Sequence, residues 1–139
     1  MDMRHITYDI DDHIVELRNA VFIKEQGISI VDEYEDNEKE YIHLSEFFED
    51  KLVAYARMKV ILPIAFVGRV AVCKSFRSRG YGRSIMSFAE DEAKKRGCAS
   101  VQMHAQIQAQ AFYEKIGYIV DGEKFMEAGI PHIKMTRKL

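Results

Sequence analysis

The sequence predicts a mixed α/β fold of the α+β kind, with a central βαβ unit flanked by hairpins, and three observations carry that expectation. Residues 64–73 form an apolar run that leads almost directly into Gly80-Tyr81-Gly82. A helical period then runs from Gly82 to Arg96. A period of two follows from Ser100 to about Gln106. Strand, glycine turn, helix and strand make a βαβ unit, whose crossover is right-handed and whose ligand lies at the carboxyl end of the first strand. Alternating segments on either side make the sheet mixed rather than fully parallel.

Taken in order, residues 4–10 alternate with Ile6, Tyr8 and Ile10 on one face, which predicts a short strand. Asp11 or Asp12 caps the helix that follows. Its apolar stripe is Ile14, Leu17, Val21 and Phe22, and Gly27 stops it after Glu25-Gln26. Asp32, Glu33, Glu35, Asp36, Glu38 and Glu40 then crowd into an acidic segment, a loop or short helix that faces either water or a cationic ligand. From Tyr41 a period of two runs through the Glu49-Asp50-Lys51 turn to Met58, a β-hairpin, and Leu62-Pro63 ends it.

The run over 64–73 is apolar enough to sit in the middle of a sheet. The helix after the glycines buries Ile85, Phe88, Ala89 and Ala93 and turns Glu90, Asp91, Lys94 and Lys95 to water. The strand over 100–106 puts Val101, Met103 and Ala105 on one face and the polar row Gln102, His104 and Gln106 on the other. A helix over about 108–116 stops at Gly117. Short closing strands at 118–120 and 132–135 are joined by 121–131.

A chain of 139 residues, 47% hydrophobic, supports one well-filled core, so a single domain over residues 1–139 is expected. Cys73 and Cys98 stand apart, with neither disulfide nor metal-ligand spacing, which fits a reducing cytoplasm and no metal. A net charge of -2 and a pI near 6.2 exclude a general nucleic-acid binder. Residues 1–10 are broken by charges and no long apolar run follows, so neither a leader nor a membrane span is expected.

The stretch with chemical content is Arg77-Ser78-Arg79-Gly80-Tyr81-Gly82-Arg83-Ser84. Two glycines let the backbone turn and approach a ligand closely, and a helix start aims free N–H groups at one spot. With Arg77, Arg79 and Arg83 around it, this is an anion site suited to a pyrophosphate. It is not a Walker loop, because Gly82 is followed by Arg83-Ser84 rather than Lys-Ser/Thr. Nor is it a dinucleotide fingerprint, because the third glycine position is Ile85.

Arg77-x-x-Gly80-x-Gly82 resembles the pyrophosphate loop of the GNAT superfamily of N-acetyltransferases. Gln106-x-x-Ala109-x-x-Phe112-Tyr113-Glu114-Lys115-x-Gly117-Tyr118 resembles its second signature, with Gln106 where an Asn is usual. Val21-Phe22-Ile23-Lys24-Glu25-Gln26 and Glu127-Ala128-Gly129-Ile130-Pro131-His132 look like the ElaA- and YjcF-like branch of small bacterial acetyltransferases. The resemblance implies a mostly antiparallel twisted sheet with helices on both faces. It implies acetyl-CoA as cosubstrate, held along Val70, Ala71 and Val72, with its pyrophosphate on the segment from Arg77 through Ser78, Arg79, Gly80, Tyr81 and Gly82 to Arg83 and Ser84, and with Gln106 alongside. An N–H of the strand, that of Val72, then polarises the thioester carbonyl.

The same resemblance places Tyr113 at the cofactor sulfur as proton donor to the leaving thiolate. A phenol of pKa about 10 can hydrogen-bond to, and protonate, a sulfur whose conjugate acid is near 8.5, a transfer that runs slightly uphill. The base is open. Residues 66–72 hold no carboxylate, which leaves Glu25, His104 and His132, with His104 suited by its imidazole. The acceptor is a primary amine, on a small molecule or a peptide, drawn toward the acidic segment. A homodimer through C-terminal edge strands fits. The other reading is a CoA-binding regulatory module without turnover.

Overall fold

The computed structural model describes residues 2–139; Met1, the first residue of the segment read above for a leader, lies outside them. Seven strands form one sheet in the order β1-β2-β3-β4-β5-β7-β6. They are β1 (Asp2–Thr7), β2 (Ile42–Phe48), β3 (Lys51–Ile61), β4 (Ile64–Val72), β5 (Ser100–Gln106), β6 (Ile119–Glu127) and β7 (Ile130–Lys138). The helices are α1 (Asp12–Arg18), α2 (Ile30–Glu33), α3 (Tyr81–Lys95) and α4 (Gln110–Lys115). All neighbouring strands are antiparallel except β4 and β5, which α3 connects in parallel. The mixed, mostly antiparallel sheet around a βαβ unit is the fold the sequence predicts.

The period-two pattern explains the two cores. On β3, Ala54, Ala56 and Met58 face Ile85, Met86, Ala89 and Ala93 of α3, while Tyr55 on the opposite face meets Ile14 and Leu17 of α1 and Val21 and Phe22 beyond it. Each Ile, Leu, Val, Met or Phe side chain so buried contributes about 1.5–3 kcal/mol relative to exposure, and each Ala less. β4 lies at the centre, as its apolar sequence requires.

Three readings are corrected by the structure, and one pair of alternatives is decided. β1 ends at Thr7, whose hydroxyl donates to Asp9 O at 3.0 Å, so Tyr8 and Ile10 leave the strand. Asp11 is the cap, accepting from Ile14 N at 2.9 Å. The region 121–131 is mostly strand: β6 and β7 form a long hairpin about Ala128-Gly129, both at positive φ. The reason it was hidden is that β6 is the outermost strand, exposed on both faces from Ile119 to Lys124, so no alternation marks it. Glu90 does not face water; it is buried, accepting from the Tyr118 hydroxyl at 2.7 Å and pairing with Arg137 at 2.9 Å.

After α1 the helix widens into a π-helical stretch, Asn19–Glu25, in which Gln26 N–H reaches back to Val21 O at 3.1 Å. The extra residue in the turn rotates Glu25 and Gln26 off the stripe of Ile14 and Leu17. Both line the main cavity.

Candidate active site

β4 and β5 pair through only three rungs, Ile64, Ala65 and Phe66 against Ser100, Val101 and Gln102. Beyond them the strands splay, and the gap opens into a cavity of about 1040 Å³. The open edge of β4 carries its backbone groups. Cys73 N–H donates to Val53 O on β3 at 2.8 Å. Amides alternate in direction along a strand, so the Val72 N–H points the other way, into the splay. Upstream the β3–β4 register slips between Tyr55 and Arg57, which leaves Arg69 and Val70 in a bulge, with Arg69 at φ +52°. Val70, Ala71 and Val72 all line the cavity.

At the end of β4 the chain passes through Ser78 and Gly80, both left-handed, and starts α3. The first intrahelical bond is Ser84 N–H to Gly80 O at 3.0 Å, so the N–H groups of Gly82 and Arg83 precede it and face outward. Such alternating backbone makes a concave anion cradle, and the helix dipole adds to it. Gly82 answers a steric need as well: a Cβ there would stand 3.1 Å from the Phe112 ring.

The residues singled out in the loop divide. Arg77, Ser78, Gly80, Tyr81, Gly82 and Arg83 line the cavity. Arg79 instead lies over the Phe76 ring, 4.9 Å from its centre. The Ser84 hydroxyl turns away and donates to the buried Glu46 carboxylate at 2.8 Å. Arg77 grips Glu25 with both nitrogens, the second at 2.8 Å, and also donates to Val72 O at 3.1 Å. That grip holds the Glu25 carboxyl below the usual carboxylate range, which makes it a weaker base.

Tyr113 lines the cavity from α4, only 7% exposed, with its ring edge-on to Phe112 at 5.1 Å and to Tyr118 at 5.8 Å. Its hydroxyl has no hydrogen-bond partner among the described residues. Burial pushes its pKa above the ordinary phenol value, so it stays protonated. Gln106 donates to Gln26 at 2.8 Å and accepts from Gln108, a small amide chain across the cavity. His104 Nδ1–H donates to Glu127 at 3.0 Å, and Glu127 also lies 3.7 Å from His132.

The acidic segment is largely neutralised from within. Glu33 is buried and pairs with Arg18 at 2.7 Å and Arg69 at 3.0 Å. Glu38 pairs with Arg18 at 2.9 Å and Arg57 at 3.2 Å, Asp36 with Arg57 at 2.6 Å, and Glu40 with Lys59 at 3.2 Å. Burial raises the Glu33 carboxyl above its usual range despite both guanidinium groups. Of the six acids, Asp32 and Glu35 alone have carboxylates without a partner among the described residues, and both line the cavity. The charge run, expected to face water or a cationic ligand, is thus largely an ion-paired wall. Arg69, whose guanidinium also donates to Asp32 O and Glu33 O at 3.2 Å, ties α2 to the β4 bulge.

Sequence reasoning passed over Glu127, Arg69 and Gln26 as members of the site. Ala128-Gly129 was the signal for the first, because a two-residue turn with positive φ brings Glu127 and Ile130 into register. No sequence pattern marks the π-helical widening or the β4 bulge. Among the described residues no three His, Cys, Asp or Glu side chains are grouped to hold a metal, and no helix is long and apolar enough to cross a membrane.

The sheet thus splays at its parallel pair, with a glycine loop and a helix start at the mouth of the gap. The acetyltransferase (GNAT) domain matches residues 11–139, and the chain belongs to that family. It is 37% identical over 122 residues to the uncharacterized N-acetyltransferase YjcF of Bacillus subtilis, covering 87% of each chain. The crystal structure of Escherichia coli ElaA superposes with a TM-score of 0.84 at 28% identity, covering 99% of both chains. A Bacillus subtilis acetyltransferase crystallised with CoA shares the fold, with a TM-score of 0.75, 18% identity and coverage of 100% of this chain and 99% of its own.

Proposed function

We propose that this chain, a single domain over residues 1–139, is an N-acetyltransferase that moves an acetyl group from acetyl-CoA to a primary amine by direct attack. One observation carries this reading: the open edge of β4, the cradle before α3 and the Tyr113 side chain all line one cavity. The pyrophosphate rests on the Gly82 and Arg83 amides, with the Arg83 guanidinium, unpaired among the described residues, beside it. The amide-bearing arm pairs with the β4 edge, and the thioester carbonyl accepts from the Val72 N–H.

The amine nitrogen attacks the thioester carbon, and collapse of the tetrahedral adduct breaks the C–S bond. Tyr113 donates to the departing sulfur. Its raised pKa keeps it a hydrogen-bond donor that stabilises the developing thiolate, and the proton the sulfur finally takes is the one the attacking nitrogen sheds as the amide forms. For the proton on the acceptor ammonium, the Arg77 grip disfavours Glu25, and His132 has Nδ1–H on Ile130 O with Nε2 turned to Glu127 at 3.7 Å, which favours His104, whose Nδ1–H is held by Glu127 and whose Nε2 has no partner among the described residues. Asp32 and Glu35 attract the cationic acceptor. Exposed Ile119, Val120 and Met126 on the outer strand support self-association.

The test is thiol release from acetyl-CoA across small amines, polyamines, amino sugars and peptides, with binding followed by calorimetry. Tyr113→Phe lowers kcat at least about 10-fold and leaves acetyl-CoA affinity within about 2-fold. Gly82→Asp with Arg83→Ala abolishes CoA binding. Release at background with every amine and intact CoA affinity favours the regulatory module; loss of both defeats the assignment.

A further inference from the structure

We propose that Glu127 is a positioning residue: it fixes the tautomer of His104 so that Nε2 faces the acceptor amine as the general base. This rests on the acetyltransferase reading above and adds a residue to it. The observations come from one face of three strands. His104 pairs across β5 with Lys134 of β7, Gln106 pairs with His132, and His132 pairs with Phe125 of β6. Side chains directly opposite one another point to the same side of a sheet, so these residues and Glu127, two positions after Phe125, form one surface. His104, Glu127 and His132 line the cavity.

On that surface the carboxylate lies between two imidazoles. Oε1 accepts from His104 Nδ1–H at 3.0 Å, and Oε2 lies 3.7 Å from His132 Nε2. His132 Nδ1–H donates to Ile130 O at 2.7 Å, which anchors that ring at the turn. The Phe125 ring stands edge-on to His104 at 4.9 Å and stacks on His132 at 5.9 Å, filling the space between them. The Nδ1 end of His104 and one side of each ring are therefore set by the β6–β7 hairpin. The neighbouring Lys134 ammonium is drawn off toward Asp121 at 3.6 Å.

The chemistry follows from donor accounting. A carboxylate only accepts, so the nitrogen facing it carries hydrogen, and the other nitrogen of a neutral ring then has a lone pair. In the reaction that lone pair takes the ammonium proton, the freed amine attacks, and the imidazolium charge falls beside Glu127. A carboxylate behind an imidazole both orients the ring and stabilises its cation. Glu127 is partly exposed, and solvent weakens the effect relative to a buried partner.

Two measurements test this. Nitrogen-15 NMR of histidine-labelled protein reads the tautomer without any turnover: His104 carries its proton on Nδ1, and Glu127→Ala returns it to a mixture. Kinetics then read the consequence. Glu127→Gln lowers kcat roughly 10-fold or more with the KM for acetyl-CoA within about 2-fold, and Glu127→Asp recovers part of the loss. In combination with His104→Gln it adds nothing further, since both act through one ring. A His104 protonated on Nε2 overturns the proposal, as do unchanged kinetics in Glu127→Gln or losses that multiply in the double variant. If no amine is acetylated at all, the function fails, and the NMR result still decides whether Glu127 sets the ring.

Discussion

Replacing Arg18 by Met removes a fully buried cation, and the structure indicates how much that costs. Arg18 is 0% exposed and holds Glu33, 1% exposed, at 2.7 Å; it also holds Glu38 at 2.9 Å and Glu33 O at 2.9 Å and lies over the Tyr34 ring at 4.7 Å. Burial alone would weaken protonation of this guanidinium, yet its two carboxylates hold its pKa above the ordinary value. Methionine fills much of the same volume but leaves Glu33 buried with Arg69 alone. Breaking a buried pair on one side costs about 3–5 kcal/mol. The control is Lys59→Met, which breaks the pair with Glu40 at 3.2 Å where the side chains are 36% and 53% exposed. Such a surface pair is worth about 0–1 kcal/mol. Urea unfolding followed by circular dichroism measures both, with m held constant as the sign that only stability moved. If Arg18→Met costs no more than Lys59→Met, the acidic wall is not held by its arginines and the account of it is wrong.

Three further outcomes follow from particular contacts. His43 is buried, with Nδ1 accepting from the Tyr55 hydroxyl at 2.6 Å and Nε2–H donating to Glu38 O at 2.8 Å, and desolvation lowers its pKa from 6.5. A depressed folded-state pKa means that the unfolded chain takes the proton first. Stability therefore falls as pH drops below about 6.5, by at most about 1.4 kcal/mol per pH unit, and His43→Gln flattens that slope in unfolding curves at pH 5.5 and 7.5. Gly82→Ala keeps stability within about 1 kcal/mol, because helix propensity offsets the 3.1 Å contact with Phe112, but the displaced ring moves Tyr113 and lowers kcat. Asp32→Asn with Glu35→Gln raises the KM of cationic acceptors several-fold and leaves acetyl-CoA affinity unchanged, as steady-state kinetics at low and high salt would report.

What the residues disclosed in advance was what repeats along the chain. The run over 64–73, the stripe of Ile85, Phe88, Ala89 and Ala93, and the alternation over 100–106 each bury one face, so their periods carried the βαβ unit and its glycine turn. β6 was hidden because an outer strand buries neither face. Glu90 read as solvated because its partners, Tyr118 and Arg137, lie 28 and 47 positions away. The acidic segment misled for the same reason: the arginines that neutralise it come from α1, β3 and β4, and local charge density cannot show a distant counter-ion. The Arg77 grip on Glu25 spans 52 positions and was equally silent.

The three rungs that join β4 to β5 make the sheet mechanically two plates rather than one. What fixes the plates relative to each other is α3. Near its start, Ser84 holds Glu46 at 2.8 Å, and Arg4 adds a bond to Ser84 O at 3.3 Å, both on the plate of β1 to β4. Further along, Glu90 holds Tyr118 at 2.7 Å and Arg137 at 2.9 Å on the plate of β5 to β7. The helix is thus a splint pinned to both sides of the cleft, and the width of the gap is set by the rigid helical span from Ser84 to Glu90 rather than by strand pairing.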